Sequence, residues 1–217
     1  MTTLLFGSLG QKKCDMITLH TYGDSHASKH GGWDNINIKD LSIRKNHLGP
    51  KLMFTFSNKD ININNVVKNT DYLIFCFGEI DCRCHIGKYK PNTTSNINNL
   101  VTSYINTIKD ITINLDPSKV LIYNVVPPLE RELVENLFME GKSILPTIGT
   151  DEEIKNYTLY MNKKLKEQSK DNGFIFFDVY DKYTNNKGFL IKELSDGNCH
   201  IKNPIHVQEL LINILEK

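Results

Sequence analysis

Met16-Ile17-Thr18-Leu19-His20-Thr21-Tyr22-Gly23-Asp24-Ser25-His26 is the stretch on which the reading of this chain turns. Met16 to Tyr22 is largely apolar and short, the mark of a buried strand. A Gly-Asp-Ser step just past such a strand presents a serine hydroxyl at the rim of a sheet. Two other blocks stand with it. Gly78-Glu79-Ile80-Asp81-Cys82-Arg83 follows another apolar run, and Asp196-Gly197-Asn198-Cys199-His200 lies near the C-terminus.

Outward from this stretch, apolar runs alternate with amphipathic ones, the pattern of a doubly wound α/β sheet. The expected strands are 16–22, 41–45, 72–77, 120–126 and 174–179. The third is continuously apolar and is expected to be central and parallel. Residues 51–57 read two ways: Leu52, Phe54 and Phe56 alternate like a strand, yet the segment also suits the start of a helix. Helices are expected from Ile97 through Ile108, from a capping box at Thr150 to Glu153 up to Gly173, and after Pro204, placed in the first turn of a last helix. Residues 129–149 read as a short helix and a loop. In parallel sheets ligands gather at the carboxyl edge, so Ser25 and the Gly78 block share one rim. The 196–200 block can return to it.

The bulk properties exclude several classes. The chain of 217 residues fits one α/β domain, 1–217. A net charge of +1 with scattered lysines gives no electrostatic case for nucleic acid or an anionic membrane. No apolar stretch approaches the ~20 residues of a membrane span. The N-terminus shows no secretory signal, and five cysteines make an odd set in a chain that needs no staples. Reduced thiols in the cytoplasm are expected. Asn, Ile and Lys abound while arginine stands only at 44, 83 and 131, a bias that suits an AT-rich microbe or large virus.

A serine hydroxyl needs a base within hydrogen-bond reach and a group that orients the base. His200 is the expected base for Ser25, and Asp196 the expected orienting carboxylate. The tetrahedral intermediate needs donors, for which the N–H groups of Ser25 and Gly49 and the side chain of Arg83 are candidates. The three blocks, with Gly49 in His47-Leu48-Gly49-Pro50, resemble the SGNH (GDSL-type) hydrolase superfamily. That resemblance implies a flavodoxin-like three-layer α/β/α sandwich with a mostly parallel five-stranded sheet. It also implies ester hydrolysis without a cofactor, with Ser25 as nucleophile, Gly49 as oxyanion donor, and Asp196 and His200 as the other triad members. Gly-Asp-Ser-His together with Gly-Glu-Ile-Asp-Cys-Arg looks like a subgroup linked to glycan modification, which implies acyl groups on sugars as substrates.

Two departures bear on the chemistry. Ile80 stands where the family has its oxyanion asparagine, and isoleucine cannot donate. Arg83 is the expected substitute, oriented by a bidentate pair with Glu79 or Asp81. The C-terminal block is Asp-x-x-x-His, one residue longer than the family's. His26 is read as a loop-positioning or substrate-contacting residue, and Trp33 and His30 as core packing or capping ahead of a sugar platform. His206 is the rival base. Cys82, Cys84 and His85, with Cys199 and His200, suggest zinc, but their spacing lacks the usual paired ligands, so no metal is expected. The alternatives to an esterase are a sugar O-acyltransferase using the same serine and a glycan-binding protein that has lost turnover.

Overall fold

The computed structural model describes residues 16–57, 59–61, 63, 66–131 and 145–216. One of the five cysteines, Cys14, and most of the expected helix and loop at 129–149 lie outside them. Five strands form one sheet: β1 (Ile17–Gly23), β2 (Leu41–His47), β3 (Tyr72–Cys76), β4 (Val120–Tyr123) and β5 (Ile175–Phe177). The order is β2-β1-β3-β4-β5 and every pairing is parallel. β3 lies at the centre and is wholly buried, as its unbroken apolar run requires. β2 is an edge strand, and its Arg44 and Lys45 are exposed.

The side-chain period of two sends β3 into two cores. Leu73 and Phe75 join the helices α1 (Thr93–Ile111) and α2 (Asp151–Asp171), while Ile74 and Cys76 face Trp33 and the helix α3 (Ile205–Leu215). This is the three-layer α/β/α arrangement expected. Thr150 closes the capping box of α2: its hydroxyl accepts from the Glu153 N–H, and Glu153 accepts from the Thr150 N–H. Pro204 stands at the N-cap of α3, one position before the first turn.

Residues 51–57 are neither strand nor helix. Phe54 is 77% exposed while Met53 and Phe56 are buried, so the alternation does not mark a sheet face. The Phe56 N–H donates to the Leu52 carbonyl and the Met53 N–H to the Asp81 carboxylate, which folds the segment into a turn against the core. The chain runs from β1 to β2 on one side and then crosses to β3 on the other. The carboxyl ends of β1 and β3 therefore flank the switch point, where an open α/β sheet leaves its crevice.

Candidate active site

β1 ends at Gly23, and the residue type there follows from a close approach. A Cβ on Gly23 would lie 2.0 Å from the Cys76 carbonyl oxygen of β3. Asp24 then caps a 3₁₀ turn, Ser25–Ala27, by accepting the His26 N–H at 2.9 Å. The turn is held from below by the Thr21 hydroxyl on the Ala27 carbonyl at 2.6 Å, and from the side by the Ser28 hydroxyl on the Ser25 carbonyl at 2.6 Å. Ser25 therefore stands on a braced turn at the carboxyl edge of β1.

The C-terminal block reaches the same place. Ser195 and Ile201 form an antiparallel bridge, and the Asp196 N–H donates to the His200 carbonyl, so residues 196–200 close a small hairpin. The hairpin absorbs the extra residue of Asp-x-x-x-His. His200 Nδ1 lies 2.8 Å from Asp196 Oδ2, and His200 Nε2 lies 2.8 Å from Ser25 Oγ. The three segments thus meet in one hydrogen-bonded chain. Burial and the neighbouring His26 hold the His200 imidazole below its usual pKa, against the pull of Asp196. A neutral imidazole with Nδ1–H on the carboxylate leaves Nε2 free to accept the serine proton.

The β3 side of the rim is built differently. Glu79 is buried and takes the Arg83 guanidinium bidentately, Nε at 2.5 Å and Nη2 at 3.0 Å. Arg83 Nη1 donates to the Leu145 carbonyl. Burial alone would raise the Glu79 pKa, but the guanidinium holds it down. All three Arg83 nitrogens therefore have protein acceptors, and the fork serves the loop. Asp81 does not orient Arg83. Its Oδ2 accepts the Met53 N–H at 2.8 Å, and burial pushes its carboxyl up to about 7. Ile80 is buried and supplies no donor.

Gly49 follows β2 with φ +78, in a segment tied to the nucleophile's strand by the Leu48 N–H on the Gly23 carbonyl at 2.8 Å. The backbone N–H groups of Ser25 and Gly49 donate to no partner among the described residues. They are the donors this rim offers to a developing oxyanion.

The other expectations fall as follows. Trp33 is buried and donates Nε1–H to the His26 carbonyl at 2.6 Å, so it braces the turn and is no sugar platform. His30 is exposed, with its ring centroid 5.3 Å from that of His200. His206 pairs with Glu209, away from Ser25. Cys82 and Cys84 are buried fillers, Cys82 against Met161. Donor atoms of His26, Cys199 and His200, and those of His30, Asp196 and His200, lie within 4.8 Å of one another. The His26 and His200 ring nitrogens and the Asp196 carboxylate are already engaged with protein groups, so these sets belong to the hydrogen-bonded chain.

Asp24 was not singled out from the sequence, although an Asp two residues before a polar N–H is a turn signal. Among the described residues no helix is long and apolar enough to cross a membrane.

No family model matches the sequence, and no curated protein does. Solved structures match its fold over nearly the whole chain. An aryl esterase of M. smegmatis superposes with TM-score 0.54 at 12% identity, over 92% of this chain and 96% of that one. A candidate acylhydrolase of Bacteroides fragilis gives TM-score 0.60 at 11% identity, over 94% and 88%. A candidate GDSL-like lipase of Parabacteroides merdae gives 0.57 at 12%, over 93% and 94%. With its β2-β1-β3-β4-β5 sheet and the Gly-Asp-Ser turn at the switch point, the chain has the fold of the SGNH/GDSL hydrolases.

Proposed function

We propose that this chain is a serine carboxylic ester hydrolase that works through an acyl-Ser25 intermediate. The observation that carries the proposal is the continuous hydrogen-bonded chain from Ser25 Oγ through His200 to Asp196, 2.8 Å at each step. Ser25 Oγ attacks the acyl carbon while its proton passes to His200 Nε2. Asp196 holds the other imidazole proton and stabilises the imidazolium. The oxyanion of the tetrahedral intermediate faces the N–H groups of Ser25 and Gly49. As the ester C–O bond breaks, His200 returns the proton to the leaving alkoxide. Water then repeats the sequence on the acyl-enzyme, its proton going to His200 and then to Ser25 Oγ.

The proposed substrates are short acyl esters, O-acetyl above all, on a carbohydrate. The sugar side of this reading is supported by the pairing of Gly-Asp-Ser-His with Gly-Glu-Ile-Asp-Cys-Arg, which resembles a subgroup linked to glycan modification. Transfer of the acyl group to a second sugar hydroxyl uses the same steps with that hydroxyl in place of water.

A fluorophosphonate probe tests the proposal. Stoichiometric labelling that disappears in Ser25→Ala, together with acetate release from an acetylated oligosaccharide, supports it. Ile80 favours a second reading, a glycan-binding protein without turnover. Folded protein that resists the probe and releases no acetate, yet retains the oligosaccharide, points to that reading.

A further inference from the structure

His26 is the buried histidine of the site for which the catalytic cycle above has no use. It is buried, and both of its ring nitrogens meet acceptors. Nδ1 lies 2.9 Å from Asp24 Oδ1, and Nε2 lies 3.1 Å from the Cys199 carbonyl oxygen. A neutral imidazole carries one N–H and satisfies only one of these; two acceptors call for two N–H groups. The second acceptor is 173 positions away in the chain. His26 follows the nucleophile, and Cys199 precedes the base. The contact therefore clamps the residue beside Ser25 to the residue beside His200, and the two rings lie 4.9 Å apart between centroids.

We propose that His26 is a positioning residue, a clamp protonated throughout the neutral range that fixes the His200 hairpin against Ser25 and keeps the His200 base unprotonated at neutral pH. The inference rests on the esterase reading for its consequence in rate, but the protonation of His26 can be measured without turnover. Other charges bear on the pair. Asp24 on the same turn and Glu79 from the loop after β3 favour the charge on His26. His200 faces His26, Asp196, Glu79, the His30 ring and the Cys199 sulfur. Burial opposes a charge on His26, yet the two carboxylates and the Cys199 carbonyl prevail and raise its pKa to about 9.

The first arm of the test is the wild-type protein labelled with ¹⁵N-histidine, followed by long-range ¹⁵N–¹H spectra. Both His26 nitrogens are expected to stay protonated from pH 5 to 8, with the signal moving only near pH 9. A single-tautomer neutral ring at pH 7 overturns the proposal.

The second arm is the pH profile of kcat/KM on p-nitrophenyl acetate in wild type, His26→Gln and Asp24→Asn. Loss of the buried cation is expected to move the acid limb up by roughly one pH unit or more, as expected for a unit charge about 5 Å from the base. On the acid limb, below the apparent pKa of wild type, the variants then lose up to about tenfold in rate relative to wild type for each pH unit the limb moves. An unmoved limb in a folded variant overturns the proposal; Asp24→Asn serves if His26→Gln does not fold. Wild-type protein without Ser25-dependent turnover removes the esterase reading instead, and the spectra still decide the charge on His26.

Discussion

The two loops at the switch point share a rim but use their polar groups in opposite ways. After β1, Ser25 keeps its hydroxyl on the His200 ring and its backbone N–H unspent. After β3, Glu79 and Arg83 spend their charges on each other and on the Leu145 carbonyl, and Asp81 turns Oδ2 to the Met53 N–H. One loop leaves donor groups open at the rim; the other ties its groups to the surrounding chain.

Substitutions can break this contrast. The largest effect is expected at the reacting side: Ser25→Ala and His200→Ala should each lower kcat on p-nitrophenyl acetate by about 10⁴ or more, with unchanged far-UV dichroism. On the anchoring side Glu79→Gln should act through stability. It leaves a buried guanidinium without its carboxylate, a loss of about 3–5 kcal/mol read from urea midpoints. A kcat loss in folded Glu79→Gln as large as that of Ser25→Ala would erase the contrast.

Gly49→Ala tests the donor side at smaller cost. A Cβ there meets nothing within 4 Å, but φ +78 strains an L residue by roughly 1–2 kcal/mol. The expected result is a modest drop in Tm and in kcat, with KM little changed.

A further effect is one of sign. Asp81 has its carboxyl raised from 3.8 to about 7, so the folded state holds a proton that the unfolded chain releases in that interval. Stability from this group is greatest at low pH and falls as pH rises toward 7. Asp81→Asn keeps an acceptor for the Met53 N–H and should flatten that slope in urea titrations between pH 4 and 8.

The strands were legible because β3 and β4 are unbroken apolar runs and β1 ends in a turn motif. Their ends were less so. β5 spans only Ile175–Phe177, because the Val179 N–H pairs with the Asn124 side chain instead of a strand neighbour. The turn at 51–57 depends on Asp81, 28 residues further on, and no local pattern reports that bond. Ser25, His200 and Asp196 stood out in the sequence as motif blocks, and the fold brings them together. The pairing of Arg83 with Glu79, four residues apart, is legible in the sequence and is found. The bond of Arg83 to the Leu145 carbonyl and the second acceptor of His26 could not be read there, since both come from segments the fold alone brings near.

The acyl-enzyme itself is the most direct test of the central claim. Acid-quenched p-nitrophenyl acetate reactions, digested and mapped by mass spectrometry, should show acetyl on Ser25 in wild type and greatly reduced acetyl in His200→Ala. Acetyl on another residue, or turnover with Ser25 never modified, contradicts the account.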